Sequence, residues 1–182
     1  MTHYNGYDFG KAFEPNIAIV LATTSDELGS VLRAHFCLEE FLDVWCNTIT
    51  NVKDFFDIGF IGFDKKLLIA KKLGLPDELA VVLKKFNKLR NTYAHDSSSV
   101  LNIGILNDIK NSINIVDAHS SKPIPKCEDM PLAIDGKKIS WDGEDTNNRE
   151  RFVLLYLTFS MKLFNRFNYE FLSRKIAFNH TT

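Results

Sequence analysis

The run from Leu83 to Asp96, Leu-Lys-Lys-Phe-Asn-Lys-Leu-Arg-Asn-Thr-Tyr-Ala-His-Asp, sets an arginine, an amide and an imidazole close together as Arg90, Asn91 and His95. An imidazole titrates near neutral pH and can take or give a proton. A guanidinium offers a planar fork of donors to negatively charged oxygens. Periodicity predicts a helix from Pro76 to about Ala94, with Leu79, Val82, Leu83, Phe86, Leu89 and Tyr93 on one face and Lys84, Lys88 and Asn91 on the other. Arg90 falls among the apolar residues, and an arginine that faces inward needs a paired or functional partner. His95 follows five residues later, roughly 140° around the helix, so one straight helix cannot aim both groups at one atom. They converge only if the helix ends between them or a second subunit completes the site. In the plainer alternative, Arg90 pairs with a carboxylate at the helix end and His95 is a favourable cation at the negative end of the helix dipole.

A second constellation lies on an earlier helix. His35 and Glu39 are one turn apart and project near the Leu28/Val31/Leu42 seam, away from the outward Arg33 and Glu40. Ionisable groups on a core stripe are costly unless paired. Two arrangements would satisfy them: a mutual buried His35–Glu39 pair, or Glu39 orienting Arg90 or His95 from the neighbouring helix. Another arginine and histidine, Arg174 and His180, have similar spacing, but no helix follows them and no Asn follows the arginine. They are set aside. No phosphate-binding glycine loop, Ser/His/Asp arrangement or paired-carboxylate motif stands out. Cys37, Cys46 and Cys127 are odd in number and lack zinc spacing, so reduced thiols are expected, with no metal and no cofactor.

These residues must be positioned by a chain of 182 residues, 45% apolar, with 22 Lys+Arg against 23 Asp+Glu. That is one domain with a real core, and too little net charge for a broad nucleic-acid-coating surface. The apolar runs fall short of the ~20 residues that cross a bilayer. Nothing at the N-terminus resembles a secretory leader, so a non-membrane, cytoplasmic chain is expected.

Residues 1–23 read as an N-terminal arm, in which Ile17 to Thr23 fits a strand or a short helix equally well. Thr24-Ser-Asp-Glu27 reads as a capping box for a helix from Ser25 to Asn47, with Leu28, Val31, Leu32, Leu38, Leu42, Trp45 and Ile49 as its seam. The Phe55 to Phe63 aromatic run, broken by two glycines, reads as a packed or interfacial loop. Asp64 is expected to cap a helix from Lys65 to Leu73 that stops at Gly74, and Pro76 suits the first turn of the next. A further helix is expected within Ser97 to Ala118, completing core helices over 24–118. Residues 119–145 form a connector and a hairpin around Asp135-Gly136, and 146–176 a long final helix. The sum is an all-α bundle with a small β-hairpin insertion.

Arg-Asn-x-x-x-His at the end of a helix, after a Lys- and Leu-rich amphipathic run, resembles the HEPN superfamily (higher eukaryotes and prokaryotes nucleotide-binding). Its mark is an Arg followed roughly four to six residues later by His, with a polar residue directly after the Arg. Arg90, Asn91 and His95 stand at those positions. The resemblance is clearest from Asp64 to Asp96, weaker from Asp26 to Trp45, and does not reach the hairpin. It implies a HEPN-like up-and-down helical bundle, a homodimer whose two Arg/His pairs line one cleft, and a metal-independent endoribonuclease in a toxin–antitoxin or phage-defence role. His95 would then move the protons of the RNA 2′-hydroxyl and leaving oxygen, and Arg90 would neutralise phosphoryl charge. Asn91 would hold the phosphate or the imidazole. Glu39 would be a third site residue, since some members place an acid on an early helix. Lys84 and Lys88 would guide the RNA backbone or remain a solvated face. A common subgroup carries, two residues after the histidine, a tyrosine modified by a minimal nucleotidyltransferase antitoxin; Ser97 stands there, which argues against that partner. Tyr93, on the apolar face, reads as packing. The alternative is a non-catalytic HEPN-like regulator, similar to mannitol operon repressor-type proteins, that binds a partner protein or nucleotide through the Phe55–Phe63 loop and the hairpin.

Overall fold

The computed structural model describes residues 9, 12, 15–95, 100–134 and 136–176, with the backbone alone for Pro15, Ala94 and His95. Within them the order is α1 (Pro15–Thr23), α2 (Glu27–Thr50), α3 (Phe63–Lys72), α4 (Asp77–His95), α5 (Ile103–Asn114), a 3-10 turn (Cys127–Asp129), β1 (Leu132–Ile134), β2 (Lys137–Ile139) and α6 (Asn148–Ser173). Helices α2, α4, α5 and α6 form a closed ring of neighbours, while α1 lies on α2 and α6 and α3 lies on α2 and α4. The chain is thus an all-α bundle with a small antiparallel hairpin, in which Leu132 faces Ile139 and Ile134 faces Lys137. No helix of the described residues is long and apolar enough to cross a membrane.

The core follows from where α6 places its aromatics. Phe152, Phe159, Leu163, Phe167 and Phe171, spaced for one stripe, are all fully buried. Phe86 of α4 stacks on Phe159 with centroids 5.7 Å apart, and Trp45 of α2 meets Phe167 at 4.9 Å and Phe171 at 5.4 Å. Helix α6 opens with a full capping box: Asn147 accepts from the Glu150 N–H, and the Glu150 carboxylate accepts from the Asn147 N–H. Glu150 also takes the Lys137 ammonium at 2.9 Å, which ties the hairpin to the helix start. The far end of α5 is closed from within the core. Lys162, 5% exposed, donates to the carbonyls of Ile113 at 2.8 Å and Val116 at 2.9 Å. Burial pushes the Lys162 pKa below the usual lysine value, against the opposing pull of Cys127, Asp117 and Glu128.

Several local expectations are corrected. Residues 15–23 are helical, which decides the open choice between strand and short helix for Ile17 to Thr23. Thr24 does not cap α2. Asp26 does, accepting from the Gly29 N–H at 2.9 Å, while Thr24 Oγ1 accepts from the Asp26 N–H. An aspartate nearer the first turn displaces the threonine, and Glu27 is released to other partners. The helix accordingly runs three residues beyond Asn47, to Thr50, and Leu28 of the expected seam is 39% exposed. Helix α3 starts at Phe63 with Gly62 at its cap, so Asp64 lies in the first turn and caps nothing. Gly74 does stop it, at φ +86°. The 55–63 run divides: Phe56 is buried, Ile58 and Phe60 stand out in solvent, and Phe63 enters α3. Helix α5, Ile103–Asn114, lies within the span expected to hold a helix. Asp135 and residues 96–99 lie outside the described part.

Candidate functional site

Helix α4 presents the stripe that periodicity predicts. Leu79, Val82, Leu83, Phe86, Leu89 and Tyr93 are buried, and Lys84 and Lys88 are exposed. Arg90 is half-buried at the inward side. Its Nη1 donates to Asn91 Oδ1 at 3.1 Å, and its Nε is buried with no hydrogen-bond partner among the described residues. Among the described residues Arg90 forms no ion pair. The helix continues unbroken through His95, whose side chain lies outside the described part. An uninterrupted α4 keeps the two Cα–Cβ directions roughly 140° apart.

Two side-chain contacts fix how α4 sits on α2. Near one end, Tyr93 Oη donates to Glu27 Oε2 at 3.1 Å; farther along, His35 Nε2 meets Asn87 Oδ1 at 2.9 Å. Ascending order on α2 is therefore descending order on α4, and the helices run antiparallel. Glu27 Oε2 also accepts from the Leu101 N–H at 3.1 Å, and Asn148 Nδ2 donates to the Leu101 carbonyl at 2.7 Å. The chain is thus pinned on both sides of residues 96–99. Burial, followed by the charge of Glu27, holds the Tyr93 phenol above its ordinary pKa.

His35 is 4% exposed, against Phe63 at 4.6 Å between ring centroids. Asn87, 5% exposed, donates through Nδ2 to Asp64 Oδ1 at 2.9 Å, so its Oδ1 is the atom turned to His35. Burial lowers the His35 pKa; the Asn87 hydrogen bond and the Glu39 charge oppose this, Arg90 adds to it, and Asp64 opposes it. The net position is below an ordinary histidine.

The expected His35–Glu39 pair does not form. His35 turns across to α4, and Glu39 pairs with Lys66 of α3 at 3.1 Å, where Asp43 joins at 2.8 Å. A flexible ammonium reaching in from a neighbouring helix satisfies both carboxylates, which the imidazole one turn away cannot do. Burial opposes the Lys66 charge, but Asp43 and then Glu39 outweigh it and raise the pKa above the usual lysine value. Glu39 thus stands with Lys66 rather than with Arg90.

Sequence reasoning missed Asn87 and gave Asp64 and Glu27 capping roles only. Asn87 carried a signal: an amide one turn before Arg90 on an apolar stripe needs a partner for the same reason the arginine does. Cys37, Cys46 and Cys127 are buried, and none of them forms a disulfide among the described residues. Burial raises the Cys46 thiol to about 12 and the Cys127 thiol to about 11, which leaves both protonated and unreactive. Among the described residues no group of three or more His, Cys, Asp or Glu side chains is gathered to hold a metal ion. Comparisons with protein-family models, with curated proteins and with solved structures give no match.

Proposed function

We propose that the protein is a HEPN-type, metal-independent endoribonuclease acting as a homodimer in a toxin–antitoxin or phage-defence role. The observation that carries this reading is Arg90, a half-buried cation at the end of α4 with no carboxylate partner among the described residues. A guanidinium kept there merely to complete packing would be costly. One left without a carboxylate is available to a phosphoryl group. The continuity of α4 through His95 favours a composite site, because residues five positions apart on one helix lie roughly 140° apart around its axis and a second copy supplies the missing group.

In such a cleft the RNA 2′-oxygen attacks the adjacent phosphorus and the bond to the 5′-oxygen breaks. One His95 takes the 2′-hydroxyl proton and the His95 of the second copy gives a proton to the leaving oxygen. The products are a 2′,3′-cyclic phosphate and a 5′-hydroxyl. Arg90 neutralises the charge growing on the non-bridging oxygens. Asn91, already hydrogen-bonded to Arg90, holds the fork or the phosphate. Lys84 and Lys88, exposed on the outer face, attract the RNA backbone.

A second reading, a regulator that binds a partner protein, is favoured by the loop after α2, where Ile58 is 80% exposed and Phe60 wholly so. The test incubates wild type, Arg90→Ala and His95→Ala, each checked for folding and dimer mass, with labelled RNA in EDTA. Cleavage by wild type alone, leaving a cyclic phosphate, is the expected result. Equal inactivity of three folded proteins on structured RNA and transfer RNA would transfer the assignment to the regulator.

A further inference from the structure

Helix α1 is anchored from α6. Arg149 Nη1 donates to the carbonyls of Leu21 at 2.7 Å and Ala22 at 3.3 Å, and the Leu21 side chain is fully buried. Both carbonyls belong to the last turn of α1, where helical partners run out, so the arginine closes that end and fixes the position of the helix. Held there, α1 leaves a groove of about 370 Å³ against α2, lined by Asn16, Ile17 and Val20 on one side and by Arg33, Phe36 and Cys37 on the other.

The lining sets what the groove can take. Its volume falls within the roughly 300–1,000 Å³ of small-molecule sites, which are mostly apolar with a few placed polar groups. Val20 is 37% and Phe36 59% exposed, while Cys37 is buried, so apolar surface is left to water on both sides of one cleft. The polar groups are Asn16 and Arg33. Arg33 is exposed and forms no ion pair among the described residues. Asp26 approaches the same glycine, Gly29, as the Arg33 guanidinium does, but its carboxylate serves as the α2 cap by accepting from the Gly29 N–H. One guanidinium fork matches one planar carboxylate. A phosphate dianion calls for more positive charge, and no other charged side chain among the described residues lines the groove.

We infer that the α1/α2 groove binds a small amphipathic carboxylate, with its apolar body between Val20 and Phe36 and its carboxylate on the Arg33 fork. Cys37 and His35 project roughly 160° apart around α2, so the groove opens away from the side on which His35 meets Asn87 of α4. The site is separate from Arg90 and does not rest on the proposed function.

The experiment titrates octanoate onto the full chain by calorimetry, with octanol as the neutral counterpart of the same length. Wild type is expected to bind octanoate saturably, one per chain, and octanol more weakly. Arg33→Gln, at an exposed position, should lower the octanoate affinity at least about fivefold and leave that for octanol unchanged. Val20→Trp, which fills the groove from a partly exposed position, should abolish both at unchanged circular dichroism. The inference is overturned if octanoate shows no saturable binding at millimolar concentration, or if Arg33→Gln or Val20→Trp binds it as wild type does. Self-association of wild type that Val20→Trp removes, without octanoate binding, would overturn it in favour of a second copy in the groove.

Discussion

Glu27 and Tyr93 are joined across the start of α2 and the end of α4 by a 3.1 Å hydrogen bond, and the same carboxylate oxygen takes the backbone N–H of Leu101. One side chain thus serves two elements that flank the segment following His95. Glu27→Ala removes both bonds and leaves a buried phenol and a backbone N–H unpaired, a loss of about 1–3 kcal/mol. Tyr93→Phe removes one bond and keeps the ring in the core, so it should cost about 0.5–1.5 kcal/mol. Urea unfolding of the two variants should give that order; equal losses would mean that the Leu101 contact contributes nothing.

How far this could be read from the sequence depended on whether a residue's partner was local. The buried stripe of α4 follows from its own spacing, as do the hairpin at residues 132–139 and the final helix, whose cap and box partner are three residues apart. His35 was legible as a core-facing ionisable group. Its partner was not, because the nearest acid, Glu39, is one turn away and Asn87 is 52 positions distant. Asp64 and Glu27 were misread for a related reason: each fits a local capping role, and each is taken instead by a tertiary hydrogen bond. The inward position of Arg90 was legible; that no carboxylate among the described residues pairs with it needed the neighbouring helices in place.

His35 gives stability a pH dependence that begins above the carboxylate range. Its folded pKa lies below the ordinary 6.5, so in acid the unfolded chain takes up the proton first. The stability His35 contributes is complete above about pH 6.5, falls as the pH drops towards its folded pKa, and levels off beneath it, with a slope of at most about 1.4 kcal/mol per pH unit. The lowered pKa values of Glu128 and Glu150, each held down by hydrogen bonds and nearby positive charge against the effect of burial, cause loss only below about 4.5. Unfolding curves from pH 7.5 to 5 should therefore slope in wild type and flatten in His35→Gln. The same slope in both proteins would exclude His35 as the source.

Lys162 acts as a cap delivered from another helix. Lys162→Met retains the length and apolar bulk but leaves the carbonyls of Ile113 and Val116 without their buried donor. The expected loss is about 1–3 kcal/mol, with faster amide exchange concentrated in the last turn of α5. A variant as stable as wild type would show that relief of the buried charge offsets the lost hydrogen bonds in full.

Glu39 separates a structural acid from a catalytic one. Its carboxylate lies against Lys66, which Asp43 also holds, so Glu39→Gln removes one of two charges on an ammonium only 12% exposed. The neutral amide still accepts a hydrogen bond, and Asp43 keeps its charge, which limits the loss to about 0–1 kcal/mol. Because the Arg90 fork is engaged by Asn91 while Glu39 pairs with Lys66, cleavage of RNA by Glu39→Gln should stay within about threefold of wild type, under 1 kcal/mol in transition-state terms. Arg90→Ala provides the reference for a true site loss. A drop in kcat for Glu39→Gln approaching that of Arg90→Ala, at unchanged stability, would return Glu39 to the catalytic set and show that its pairing with Lys66 gives way when RNA binds.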